Sequence, residues 1–239
     1  MKVPVYLAFL LVSYCSLANL PNDAIVISGQ PGPMLNKKHF LENGLDRSLK
    51  LRNAFQREQS SEKVVWVIYN SGNPEKGGYP DSILQSYITL AAAENIETVV
   101  VNTSEDLITL MNDRKDSTST NIKFSKLHYY GHATLGNLEI GFINGYFWNK
   151  LFSDRLNIRK LEAAIFSDTA TIDLVGGCRT ALPPNYFRNK SAAEQFQPLI
   201  NGKILASDVR VYYPGGPVSD ITLVKKNKGN IIEFQGTKD

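Results

Sequence analysis

Residues Ala170–Thr180 read ATIDLVGGCRT. A short apolar run rich in β-branched residues stops at Gly176 and Gly177, and Cys178 follows at once. Such a run bounded by glycine predicts a buried strand, which puts the cysteine just past the strand's C-terminal end. The same pattern recurs on both sides. KVVWVIYN from Lys63, ETVVVN from Glu97, FSKLHYYGH from Phe124 and KILASDV from Lys203 all predict strands. Helical stretches lie between them. Asp81 or Ser82 caps one running to about Asn95, Ser104 with Asp106 opens one through Met111, NIRKLEAAIF from Asn157 forms another, and Ser191 caps one that Gly202 ends. Alternating strands and helices predict an α/β fold, with a mostly parallel central sheet flanked by helices. Two hairpins are expected in addition. One lies in GNLEIGFINGYF with Asn144-Gly145 at its turn. The other is C-terminal, in DITLVKKNKGNIIEFQ, with its turn near Asn227 to Gly229.

The N-terminal part reads differently. MKVPVYLAFLLVSYCSLA combines an early lysine, an apolar stretch and the small residues Ser16 and Ala18. This predicts a signal peptide over residues 1–18 and a secreted or periplasmic protein. Residues 19–60 predict a leader segment: a turn-rich SGQPGPMLN, then an amphipathic helix broken by Gly44. Residues 61–239 form the main domain. Composition is ordinary for a globular chain, at 43% hydrophobic and 21% charged residues, and the formal charge is only +3. Neither nucleic acid nor an anionic membrane is called for as a partner. No segment after the signal peptide is apolar enough to span a bilayer.

Removal of residues 1–18 takes away Cys15 and leaves Cys178 as the one cysteine, so no intramolecular disulfide is available to it. A cysteine acts as a nucleophile only as thiolate and needs a base or a positive field beside it. His132 stands just past the strand FSKLHYY, at a position equivalent to that of Cys178. If the two strands are neighbours, both side chains face one crevice, and imidazole can take the thiol proton and return it to a leaving group. Backbone amides of Gly131, Ala133 and Gly177, with that of Cys178, are candidate oxyanion donors.

KLHYYGHA and TIDLVGGCRTA, in that order, resemble the two blocks of the caspase-like cysteine peptidases: caspases, gingipains, clostripain and the self-cleaving domains of large bacterial toxins. GKILASDVRVYYPGG is similar to the strand after the cysteine block in the toxin-associated branch. The resemblance covers residues 63–235 and rests mainly on the two blocks. It implies a caspase-like sandwich, a polypeptide substrate, His132 as general base and Cys178 as nucleophile, with no cofactor. Ala133 stands where that group usually has glycine.

Other readings were weighed on the residues alone. His128 and His132 share the spacing of four that zinc sites use on helices, but on a strand four residues span about 13 Å, too far for one metal. Asp208, at the end of the strand from Lys203, is a candidate receptor for a basic substrate side chain, with an ordinary loop aspartate as the alternative. Arg179 is a candidate for an acidic substrate group, or for steadying the thiolate. Asp173, inside the strand before Cys178, lines a pocket or meets a lysine. Lys225, Lys226 and Lys228 suit a solvated tip. Two functional alternatives remain open: a catalytically degenerate binding or effector module of the same fold, and an autoprocessing domain.

Overall fold

Residues 22–28, assigned above to a leader, form an interior strand of the main sheet. The computed structural model describes residues 22–30, 38–72, 78–147, 150–184, 190–211, 213, 217 and 219–238. The expected signal peptide over residues 1–18, with Cys15, lies outside the described residues. The first strand, β1 (Asn22–Ser28), pairs in parallel with β2 (Lys63–Tyr69) on one side and β4 (Lys123–Tyr130) on the other. Its NDAIVIS sequence is buried from Asp23 to Ser28. A strand covered on both faces reads as a continuous apolar run, with no alternation. This is why so short a stretch beside turn-rich sequence belongs to the sheet.

The sheet has seven strands in the order β10-β9-β8-β4-β1-β2-β3, where β3 is Glu97–Val101, β8 Phe166–Gly176, β9 Lys203–Ser207 and β10 Ile231–Gln235. All are parallel except the edge strand β10, which runs antiparallel to β9. Helices α1 (His39–Arg57) and α2 (Asp81–Ala93) cover one face with Trp66, Ile68 and Val26. On the other face α3 (Ser104–Asn112) and α4 (Ala192–Phe196) pack over Ile25, Val67, Leu127 and Ile172. The helix starts at Thr103 and Ser191 follow sequence logic. Each residue caps its helix reciprocally with an acid three positions on, Asp106 and Glu194.

Gly44 does not break α1, which runs continuously through it. A β-carbon at this position would stand 2.1 Å from Ser28 Oγ and 2.6 Å from Trp66 Nε1. The glycine therefore lets the helix lie directly on the sheet. Trp66 Nε1 donates to Ser28 Oγ at 2.9 Å, and that hydroxyl donates to the Phe40 carbonyl at 2.7 Å, so the close approach leaves no polar group here unpaired.

Three local expectations are corrected. Asn144 and Gly145 lie inside β6 (Asn137–Phe147), at an irregularity in its pairing with β7 (Lys150–Arg155). The tight turn instead falls between β5 (His132–Thr134) and β6, where Gly136 takes φ +78°. The predicted helix at NIRKLEAAIF is two single 3-10 turns, Ile158–Lys160 and Ala163–Ile165. Leu161 and Glu162 are extended between them, and the Asn112 side chain binds the Lys160 carbonyl and the Glu162 amide that a helix would have paired internally. The C-terminal hairpin is a helix followed by a strand. Ser219 receives the Thr222 amide and opens α5 (Asp220–Lys226), and the chain then returns as β10. No helix among the described residues is long and apolar enough to cross a membrane.

Candidate active site

Strands β4 and β8 are neighbours, and Tyr130 lies opposite Gly176 at their C-terminal ends. The chain leaves β4 through Gly131 into His132, and leaves β8 through Gly177 into a turn carrying Cys178. Both residues line one cavity of about 460 Å³, with Ala133, Thr134, Leu135, Glu139, Arg179 and Arg210. The parallel register thus brings together at one sheet edge residues 46 positions apart in the sequence.

The turn that carries Cys178 is held from several sides. Thr180 Oγ1 donates to the Leu174 carbonyl and accepts from the Ser207 amide, both at 3.0 Å. The Arg179 and Ala181 amides donate to Val209 and Ser207 carbonyls. These bonds fix Arg179 at φ +53°, a left-handed conformation costing a side-chain-bearing residue roughly 1 kcal/mol. Cys178 is half-buried, and among the described residues its thiol is hydrogen-bonded only to Val211: it reaches the Val211 carbonyl at 3.6 Å, and the Val211 amide donates to Sγ at 3.3 Å. Burial pushes the thiol above its ordinary range. The Val211 amide and the guanidiniums of Arg210 and Arg179 pull the other way without overcoming it. The resting side chain is therefore a neutral thiol.

His132 is tied at its backbone, because its carbonyl receives the Tyr129 hydroxyl at 2.5 Å. Its ring meets Phe40 of α1 edge to face, with centroids 5.2 Å apart. Ala133 is accommodated where a glycine was expected because Gly177 faces it: a β-carbon on Gly177 would stand 3.2 Å from the Ala133 methyl. The two small residues share one contact between the histidine and cysteine loops.

Among the proposed oxyanion donors, the Gly177 amide is already bonded to the Leu174 carbonyl at 3.0 Å. The amides of Gly131 and Cys178 have no acceptor among the described residues. Asp208 lies away from the cavity. Its carboxylate receives the Asn230 amide at 2.7 Å and the Asn230 side chain at 2.9 Å, closing the loop into β10. Arg210, two residues on, occupies the cavity wall instead. Asp173 points to the α1 side, 3.2 Å from His128 Nδ1 and 4.0 Å from Arg47. Burial holds His128 below the ordinary imidazole range against the pull of Asp173, while His128, the Val175 amide and Arg47 hold Asp173 below the ordinary carboxylate range against its burial. His128 is thus separated in role from His132. Among the described residues no group of three or more His, Cys, Asp or Glu side chains is placed to hold a metal ion.

Sequence reasoning missed Arg210, Glu139 and Phe40. Arg210 carried a usable signal: it follows the strand next to the cysteine strand, at the same sheet edge. Glu139 and Phe40 come from the small antiparallel sheet and from α1, whose docking no local pattern announces. Compared with known proteins, the chain matches no family model, no curated protein and no solved structure.

Proposed function

We propose that this chain is a secreted cysteine peptidase on the caspase-like plan, in which Cys178 is the nucleophile and His132 the proton carrier. The observation that carries the reading is the meeting of these two side chains in one cavity, at the C-terminal ends of adjacent parallel strands. Because the thiol rests neutral, proton removal accompanies attack. Sγ bonds to the scissile carbonyl carbon, the thiol proton passes to His132, and the carbonyl electron pair moves onto oxygen. The free amides of Gly131 and Cys178 are the available donors to that oxygen. Collapse breaks the C–N bond, and the leaving amine takes the proton from His132. Water, deprotonated by His132, then releases the acyl group from sulfur.

The cavity also bears on the substrate. Arg179 and Arg210 have no ion pair among the described residues, whereas Glu139 is met by Arg155 at 3.7 Å and by the Thr134 hydroxyl at 3.1 Å. The surplus positive charge favours an acidic side chain beside the scissile bond. On a peptide library, Cys178→Ala and His132→Ala are expected to lower cleavage roughly a thousandfold or more. Cleavage that survives Cys178→Ala overturns the reading.

One observation favours a second reading, a binding module of the same fold without catalysis: Val211 holds the thiol from both its backbone groups, and burial keeps it protonated. On that reading peptides bind the cavity and are recovered uncut from the wild type.

A further inference from the structure

The catalytic reading leaves unused a set of rings beside His132. His39 and Phe40 open α1, and Tyr213 follows the turn that reaches Val211. Phe40 meets His132 edge to face at 5.2 Å and Tyr213 edge to face at the same distance. The Tyr213 ring stacks on His39 at 5.8 Å, and its hydroxyl donates to the Gly176 carbonyl at 2.5 Å. Gly176 is two residues before Cys178. One contiguous cluster thus touches the histidine ring on one side and the root of the cysteine turn on the other. Phe40 is 3% exposed, and its own carbonyl is anchored by Ser28. Its position is therefore set by the sheet and not by the cavity.

We propose that Phe40 and Tyr213 form an aromatic bracket that positions the His132 ring relative to Cys178, making the first turn of α1 a working part of the site. The inference rests on the dyad reading for its functional consequence. It rests on ring geometry alone for the placement of His132. The Phe40 ring stands at 86° to the imidazole plane with centroids 5.2 Å apart, so it restricts rotation of the His132 ring. Tyr213 locks Phe40 and binds the β8 terminus, which couples the two halves. His39 adds a buried imidazole, at 8% exposure, whose Nδ1 has no hydrogen-bond partner among the described residues. Burial, and then the nearness of His132, hold it below the ordinary imidazole range against the pull of Glu42. Among the described residues, the charged or titratable groups placed near His132 include His39 from α1, Glu139 across the β5–β6 ladder, Tyr129, Tyr213, and Cys178, Arg179 and Arg210 in the cavity.

The test compares Phe40→Leu, Tyr213→Phe and Phe55→Leu with wild type. Phe55 lies on the same helix, is equally buried and belongs to the same core cluster, but among the described residues it makes no ring contact with His132 or Tyr213. Two quantities are read: the ¹H–¹⁵N signals of the His132 ring across pH, and the iodoacetamide rate at Cys178. Phe40→Leu is expected to displace the His132 signals and titration and to slow alkylation several-fold. Tyr213→Phe, which keeps the ring and loses the tie to Gly176, is expected to slow alkylation with a smaller change at His132. Phe55→Leu is expected to lower the melting temperature and leave both readouts in place. Should Phe40→Leu and Phe55→Leu behave alike at His132, the bracket is wrong. If Phe40→Leu does not fold, wild-type behaviour of Tyr213→Phe in both readouts overturns it. His132→Ala separates the two claims. If that variant keeps wild-type alkylation while Phe40→Leu still moves the His132 ring, the dyad fails and the bracket stands.

Discussion

At Cys178 the local chemistry is a contest between burial and charge. Burial raises the thiol, and the Arg179 and Arg210 guanidiniums lower it by less. The same two cations should select among reagents. Iodoacetate, an anion, is expected to gain on neutral iodoacetamide at Cys178, and Arg210→Gln to reduce that preference several-fold by rate measurements on intact protein. An unchanged ratio would mean that the guanidiniums do not act on groups approaching the sulfur. The sequence already isolated Cys178 and His132, because a glycine-flanked strand end is a local signal. For Asp208 it left two readings, a substrate receptor and an ordinary loop aspartate, because sequence position gives nearness to the sheet edge but not the side chain's direction. In the fold that carboxylate turns back to Asn230, and the residue two positions later reaches the cavity.

Strands β2, β3, β4, β8 and β9 were legible as elements because buried parallel strands are unbroken apolar runs, and the helix start at Ser191 because its cap is a reciprocal pair within four residues; the helix expected to open with Ser104 and Asp106 is capped one residue earlier, by Thr103. What failed depended on contacts far apart in the chain. Gly44 reads as a break in an isolated helix. Against Trp66 and Ser28 it is the residue that permits contact. Gly44→Ala is therefore expected to destabilise the protein by about 1–3 kcal/mol, the usual cost of overpacking, in spite of alanine's higher helix propensity. Denaturant unfolding measures it, and a stabilised variant would contradict this packing. The helix expected at Asn157–Phe166 failed for a related reason: the Asn112 side chain satisfies backbone groups locally and removes the need for a continuous helix. β1 was hidden inside the predicted leader, just before its turn-rich stretch, since seven residues carry little periodic signal until two partner strands cover them.

For the molecule as a whole, the sheet separates its functions by edge and face. The cavity lies at the C-terminal edge. At the opposite end of the strands Arg114 bridges Asp23 at 3.0 Å and Glu97 at 2.7 Å, joining β1 to β3. On the α1 face the buried His128–Asp173 pair ties β4 to β8 beneath the cavity. Burial holds His128 below its ordinary 6.5, so below that pH the unfolded chain takes up a proton that the folded chain refuses. Stability is thus fully present above about pH 6.5 and falls as the pH drops, by up to about 1.4 kcal/mol per unit for this group. His39 acts in the same direction, and Asp173 extends the loss below 3.8. His128→Asn should flatten the decline between about pH 6.5 and 5 in urea titrations; an unaltered slope would show that His128 is not its source. The central claim, that Cys178 and His132 act together, is tested most directly by the alkylation rate of Cys178 against pH in wild type and His132→Ala. The account predicts a wild-type limb persisting near neutral pH, well under the ordinary thiol value of 9.0, that vanishes in His132→Ala and leaves one transition above that value. Superimposable profiles would contradict it and leave Cys178 a quiet thiol in a binding cavity.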